Sequence, residues 1–305
     1  MKKVKYLFLV CFLMIANISF SQETEKNTTD STGLPGDHFS LQGALEMFKS
    51  ATSLEDFEKK LNDENNYVNN LDLNGDGEID YIRVIDNMES ASHAVVLQVP
   101  ISETESQDIA VIEIEKNATE SAIVQIVGDE ELYGESKIVE PFDEKAIDNN
   151  KKGPFYEYNS VKVIINVWFW PCVKFIYAPV YVVYASPWKW HYYPNYWKPW
   201  RQHPWGWYYN HGAPFRVHYQ FAPTHRVILA HKLYKPHRKT SVIVVNRYKG
   251  AHENHKAIKS KNNPNNKQNP KQNQNKGKTN PNKQKNQVQK SNNKQGPKGN
   301  KNGKR

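Results

Sequence analysis

Residues 79–127 read IDYIRVIDNMESASHAVVLQVPISETESQDIAVIEIEKNATESAIVQIV, and their apolar pattern decides the fold class. Four runs rich in β-branched residues stand out: Ile79 to Ile85, His93 to Ile101, Asp108 to Glu115 and Ala122 to Val127. The gaps hold turn-prone residues such as Asn87, Ser90, Ser92, Ser102, Ser106 and Asn117. They are too short for the crossover helices that parallel strands need, so the runs predict an antiparallel meander. Glu113 and Glu115 alternate with Ile112 and Ile114, which predicts a sheet with one face on a core and the other in water.

Upstream, Ser40 is placed to cap a helix carrying Leu41, Ala44, Leu45 and Phe48. Ser53 and Asp56 resemble the start of a second helix bearing Leu54, Phe57 and Leu61. The expected fold class is therefore α+β: two N-terminal helices on an antiparallel four-stranded meander, then an aromatic and proline-rich β and loop region, then a disordered basic tail.

Between the helices and the sheet lies Asp72-Leu-Asn74-Gly75-Asp76-Gly77-Glu78-Ile-Asp80. Oxygen-bearing side chains at alternate positions can converge on one hard cation, while Gly77 permits the sharp turn and Glu78 offers a carbonyl. The nine residues resemble the DxNxDGxxD calcium loop shared by EF-hand, dockerin and thrombospondin-type repeats. The resemblance implies Ca²⁺ ligation by Asp72, Asn74, Asp76, Glu78 and Asp80. Position 12 is Arg83 and not the bidentate Glu of an EF-hand, which argues against a helix-loop-helix sensor. A strand-entering loop with Asp80 as the last carboxylate fits the extracellular repeats, with affinity on the order of 10⁻⁴ to 10⁻³ M. The same Asn-Gly and Asp-Gly dipeptides also build tight turns without any metal.

Charge divides the chain. Residues 22–150 hold 30 Asp and Glu against 8 Lys and Arg, whereas residues 151–305 hold 2 against 30. Five segments are expected: a signal peptide over residues 1–21, a flexible linker over 22–36, an acidic α+β domain with the calcium-type loop over 37–150, an aromatic, proline-rich basic β region over 151–248, and a disordered Lys/Asn/Gln-rich tail over 249–305. The first segment has Lys2, Lys3 and Lys5, an apolar run from Tyr6 to Ala16 and a small-x-small site at Ser19 to Ser21, the three parts of an export signal. After cleavage Cys172 is the sole cysteine, so no intramolecular disulfide is available.

All eight tryptophans fall between Trp168 and Trp207. Val161 to Ala185 is rich in β-branched and aromatic residues, with Val161, Val163, Ile165, Val167 and Phe169 at alternate positions, and predicts strands punctuated by Pro171 and Pro179; Lys162, Asn166, Lys174 and the two prolines argue against a membrane span. Prolines 187, 194, 199 and 204 then hold the chain extended or turning. Trp188, Trp190, Trp197, Trp200, Trp205 and Trp207, with Arg201, are the expected ligand-binding residues, suited to stacking on sugars, at a lipid interface or on bases. The competing reading packs these rings on one another in a loop-rich fold.

Nine of the eleven histidines lie at or beyond His191, with His252 and His255 in a His-x-x-His spacing. Without further convergent ligands that spacing does not make a zinc site, and the histidines are expected to add cationic character in acid. The tail from residue 249 carries sixteen Lys and Arg against Glu253, a polycation able to bind anions by counterion release. No nucleophile elbow, His-Glu-x-x-His or phosphate loop occurs, and Cys172 reads as a small packing residue, so the chain is expected to be non-catalytic. The expected function is that of an exported binding protein of the cell envelope or surface, in the periplasm, at the outer membrane or outside the cell. It is calcium-stabilised and uses its aromatic, cationic region on acidic polysaccharide, lipopolysaccharide or an anionic membrane surface. The alternatives are an assembly factor packed on a protein partner, or an extracellular nucleic-acid-binding protein acting through the tail.

Overall fold

Both helix caps form at the expected serines. In the computed structural model, which describes residues 31–146 and 160–262, Ser40 Oγ accepts the Gly43 amide at 3.0 Å and opens α1 (Leu41–Ser50). Ser53 Oγ accepts the Asp56 amide at 3.1 Å and opens α2 (Leu54–Leu61). The apolar spacings of three and four then place Leu45, Phe48, Phe57 and Leu61 on one buried side, where Phe48 and Phe57 meet edge to face. The expected signal peptide lies outside the described residues, as do residues 147–159 and 263–305.

The meander is present in β1 (Arg83–Glu89), β2 (Ser92–Pro100), β3 (Ser106–Ala118) and β4 (Ser121–Gly128), each antiparallel to the next. It continues beyond the expected four strands. After the short α3 (Glu130–Tyr133) come β5 (Lys137–Ala146) and β6 (Ser160–Ile164), and a late β7 (Tyr219–Phe221) joins β5. β1 starts at Arg83 and not at Ile79, because Asn62 takes the place of a neighbouring strand: its side chain holds the Ile82 amide at 2.8 Å and the Ile82 carbonyl at 2.7 Å. Tyr133 closes the sheet end by entering between Gly36 and Gly128. A Cβ on either glycine would stand within 2.6 Å of its ring.

α1 and α2 cover one face of the sheet, burying Val95, Leu97, Ile112, Ile114, Val124 and Ile126. The opposite face is not in water, contrary to the alternation read at Glu113 and Glu115. Ala94, Val96, Val111 and Val127 form a second buried cluster there with Tyr234, on α6 (Ile228–Tyr234). Glu113 is fully buried in that layer. The alternation marked two buried faces of different polarity, which a sequence pattern cannot separate from one dry and one wet face.

The aromatic half forms fewer strands than expected. Past β6, Val167 joins the core and Pro171 opens a helix, α4 (Pro171–Ile176), where its missing N–H leaves no bond unmade. Cys172, Val173 and Ile176 bury beside α1, and burial pushes the Cys172 thiol well above its ordinary range. The chain then runs without regular structure to Pro204, after which α5 (Trp205–His211) begins. The last helix, α7 (Val242–Asn262), extends into the segment whose composition reads as disordered tail. Its Tyr248 hydroxyl reaches the Asp72 carbonyl at 2.9 Å, His252 reaches the Glu131 carbonyl at 2.8 Å, and Lys259 pairs with Glu135. Described residues up to Lys261 belong to one compact unit. No helix among the described residues is long and apolar enough to cross a membrane.

Candidate functional site

Opposite charge joins the acidic and basic halves through carboxylates buried on the sheet. Arg238 forks onto Asp129 through Nε at 2.5 Å and Nη2 at 2.9 Å, and Arg226 pairs with Glu140 at 2.5 Å. Tyr234 and the Lys239 amide both donate to Asp108 Oδ2, at 3.1 and 2.8 Å; burial nevertheless raises the Asp108 carboxyl to about 6. Tyrosines serve the same purpose on the helical side. Glu58 accepts bonds from the hydroxyls of Tyr81, Ser186 and Tyr184 and from the Val84 amide, with burial raising its pKa. Asp86 Oδ2 takes the Tyr181 hydroxyl at 2.7 Å and faces His93 Nδ1 at 2.8 Å.

The calcium-type loop is a closed turn built on its own side chains. Asp72 accepts the amides of Gly75, Asp76 and Gly77, Asn74 accepts that of Asp76, and Asp76 accepts that of Glu78. Gly75 and Gly77 sit at φ of 75° and 86°, backbone that favours glycine. Asp80 is buried with its Oδ2 on the Leu73 amide, and burial, with Asp72 and Asp76 adding to it, raises its carboxyl to about 7. Held on these amides, the carboxylates of Asp72, Asp76 and Asp80 do not form a group with all their ligand oxygens within 4.8 Å of one another. The donors are all hard oxygens, the ligand type Ca²⁺ takes, but Asp72 Oδ1 already accepts two amides, so ligation by that oxygen requires the turn to open. The loop is also tied to the aromatic segment through the backbone: the Ile79 amide bonds the Trp200 carbonyl at 2.8 Å, and Glu78 and Arg201 form an isolated antiparallel β-bridge.

Of the expected ligand-binding residues, Trp197 and Trp200 come into ring contact, and the others make separate contacts. Trp197 is buried edge-on to Tyr81 and meets Trp200 at 6.5 Å, while Trp188 pairs with Tyr192 and Trp190 with His191. Arg201 is exposed. Trp207 stacks between His203 and His211 and against Tyr67.

Of the seven, Trp205 is the one that lines an open cavity of about 250 Å³ at the start of α1. The cavity lies between the 3₁₀ turn Pro35–His38, the start of α1 and α5. Pro204 ends the extended run, and the first turn of α5 then sets Trp205 over Tyr209, stacked at 5.0 Å and 26°. The Arg216 guanidinium lies 3.9 Å from the Tyr209 ring centroid and bonds the Tyr209 carbonyl at 3.0 Å. Lys137 enters from β5, its ammonium 5.4 Å above the ring of Tyr133. Tyr208 forms part of the lining, its hydroxyl on the Val68 carbonyl at 2.6 Å. Asp37, the one acid in the lining, is held by Ser31, Thr32 and the Gly33 amide.

A stacked ring pair with Arg216 on Tyr209, and Lys137 elsewhere in the same lining, suits an anionic ligand with a ring face. The Trp205/Tyr209 spacing was a usable signal in the sequence, but Lys137 and Arg216 are separated from it by topology. No family model, curated protein or solved structure matches this chain.

Proposed function

We propose that this chain is an exported, non-catalytic binding protein of the cell envelope or cell surface, and that the cavity at α5 takes an acidic sugar of a polysaccharide or lipopolysaccharide. The observation that carries the reading is the stacked Trp205–Tyr209 pair with Arg216 on the same ring and Lys137 in the same lining. A sugar ring stacks on the indole, and its carboxylate meets the two cations. Calcium in the 72–80 loop, held by Asp72, Asn74, Asp76 and Asp80 with the Glu78 carbonyl, would brace residues 200–202 just ahead of α5, since Gly77 and Ile79 already pair with them. The tail adds non-specific attraction to anionic surfaces.

The test is calorimetric titration of the purified chain with hyaluronan fragments and with neutral dextran fragments, repeated for Trp205→Ala and Arg216→Ala. Hyaluronan binding that each variant weakens about tenfold, with dextran inert, supports the reading. Equal binding by wild type and variants, or none by any, removes it.

A second reading, a protein partner, rests on the apolar side chains left outside: Val180 is 88% and Val182 83% exposed, with Phe169 and Phe175 also in solvent.

A further inference from the structure

Three metal-ligating side chains meet on the sheet face that α6 covers. Glu113, fully buried on β3, offers one carboxylate oxygen to each of two imidazoles: His225 Nε2 bonds Oε2, and His231 Nδ1 lies 2.7 Å from Oε1. The two rings stand 4.3 Å apart, tilted 70°. Their ligand atoms all fall within 4.8 Å of one another, and among the described residues this is the one such group of three or more His, Cys, Asp or Glu.

The backbone that carries both histidines is fixed from beneath. Gln125 donates to the Thr224 carbonyl at 3.0 Å and accepts the Arg226 amide at 2.7 Å, so His225 is held on both sides. Glu115 accepts the amides of Leu229 and Ala230, which sets the first turn of α6 and with it His231. A neighbouring shell that orients the ligands in advance is what metal sites require. The pair His252 and His255, by contrast, takes no part in such a group.

Two imidazoles and one carboxylate are the donor set of open divalent-metal sites with three protein ligands, the fourth position being left to water. A tetrahedral ion with bonds of about 2.1 Å spaces its ligand atoms roughly 3.4 Å apart, so the carboxylate and each ring need open by less than about 1 Å. The histidine side chains are 22% and 33% exposed, so solvent reaches the site and can supply the fourth ligand. Imidazole nitrogens favour zinc over the oxygen-seeking calcium of the 72–80 loop. We propose that Glu113, His225 and His231 form a zinc site, separate from the calcium-type loop and from the α5 cavity.

The test uses the full chain after dialysis against a chelator. Titration with Zn²⁺ followed by calorimetry should give one equivalent bound, and Co²⁺ in its place should show the visible absorption of tetrahedral coordination. His225→Ala and His231→Ala, both at partly exposed side chains, should weaken binding at least tenfold while their circular dichroism matches wild type. His252→Ala/His255→Ala and millimolar Ca²⁺ should leave it unchanged. Zinc binding that survives His225→Ala/His231→Ala, or none in the wild-type chain, overturns the proposal.

Discussion

The indole of Trp197 stands edge-on to the phenol ring of Tyr81, 5.0 Å between centroids at 77°, and so pins the proline-rich segment to the sheet domain. Trp197 is 8% exposed, and its N–H is buried with no hydrogen-bond partner among the described residues. Trp197→Ala is expected to cost about 3 to 5 kcal/mol of unfolding free energy, as large-to-small core changes do. Trp197→Phe removes the orphan donor along with the second ring and is expected to cost less than half as much. Urea unfolding of both variants checks this, and Trp207→Ala, at a 39% exposed ring, should fall well below either.

The α5 cavity separates two contributions to binding. Arg216→Ala is expected to weaken hyaluronan binding about tenfold, roughly 1.4 kcal/mol, and to flatten its dependence on salt, because a cation facing an anion has been removed. Trp205→Ala should weaken binding by a similar factor with the salt slope unchanged, since stacking is not screened. Titrations at two ionic strengths distinguish them; identical slopes for the two variants would contradict the assigned roles.

Asp80 makes stability depend on pH. Its carboxyl, ordinarily near 3.8, is raised to about 7 mainly by burial, so the folded chain keeps a proton that the unfolded chain releases. That contribution is fully present below pH 3.8 and fades as pH rises through 7. Asp80→Asn keeps an acceptor for the Leu73 amide and does not titrate. With a chelator present, the stability of wild type relative to this variant is expected to fall by on the order of a few kcal/mol between pH 4 and pH 8. Calcium should recover stability at pH 8 in wild type and less in the variant. Denaturant curves at the two pH values measure both effects, and a pH-independent difference would count against a buried, protonated Asp80.

The fork between Arg238 and Asp129 joins the acidic and basic halves at a carboxylate whose side chain is 2% exposed. Arg238→Ala leaves that charge buried without its partner and is expected to cost about 2 kcal/mol, the Arg side being one-third exposed. Arg238→Lys keeps the charge but loses the two parallel bonds, and should recover about half. Thermal unfolding of the pair provides the comparison.

Local grammar carried the first third of the fold. Ser40 and Ser53 cap helices with side chains that act within a few residues, and the runs from His93 to Val127 pair across short turns, so nearest neighbours in sequence are nearest neighbours in space. The glycine-rich 72–80 turn was legible for the same reason. What tertiary structure decided was everything that depends on distant segments meeting. β7 returns to β5, α6 buries the face that Glu113 and Glu115 seemed to offer to water, and Lys137 shares a cavity with Arg216. A charged side chain looks the same in sequence whether it faces solvent or a partner a hundred residues away. Only the folded chain, by removing water from the carboxylates of Glu113, Asp129 and Glu140, determined which cations and imidazoles had to come to them.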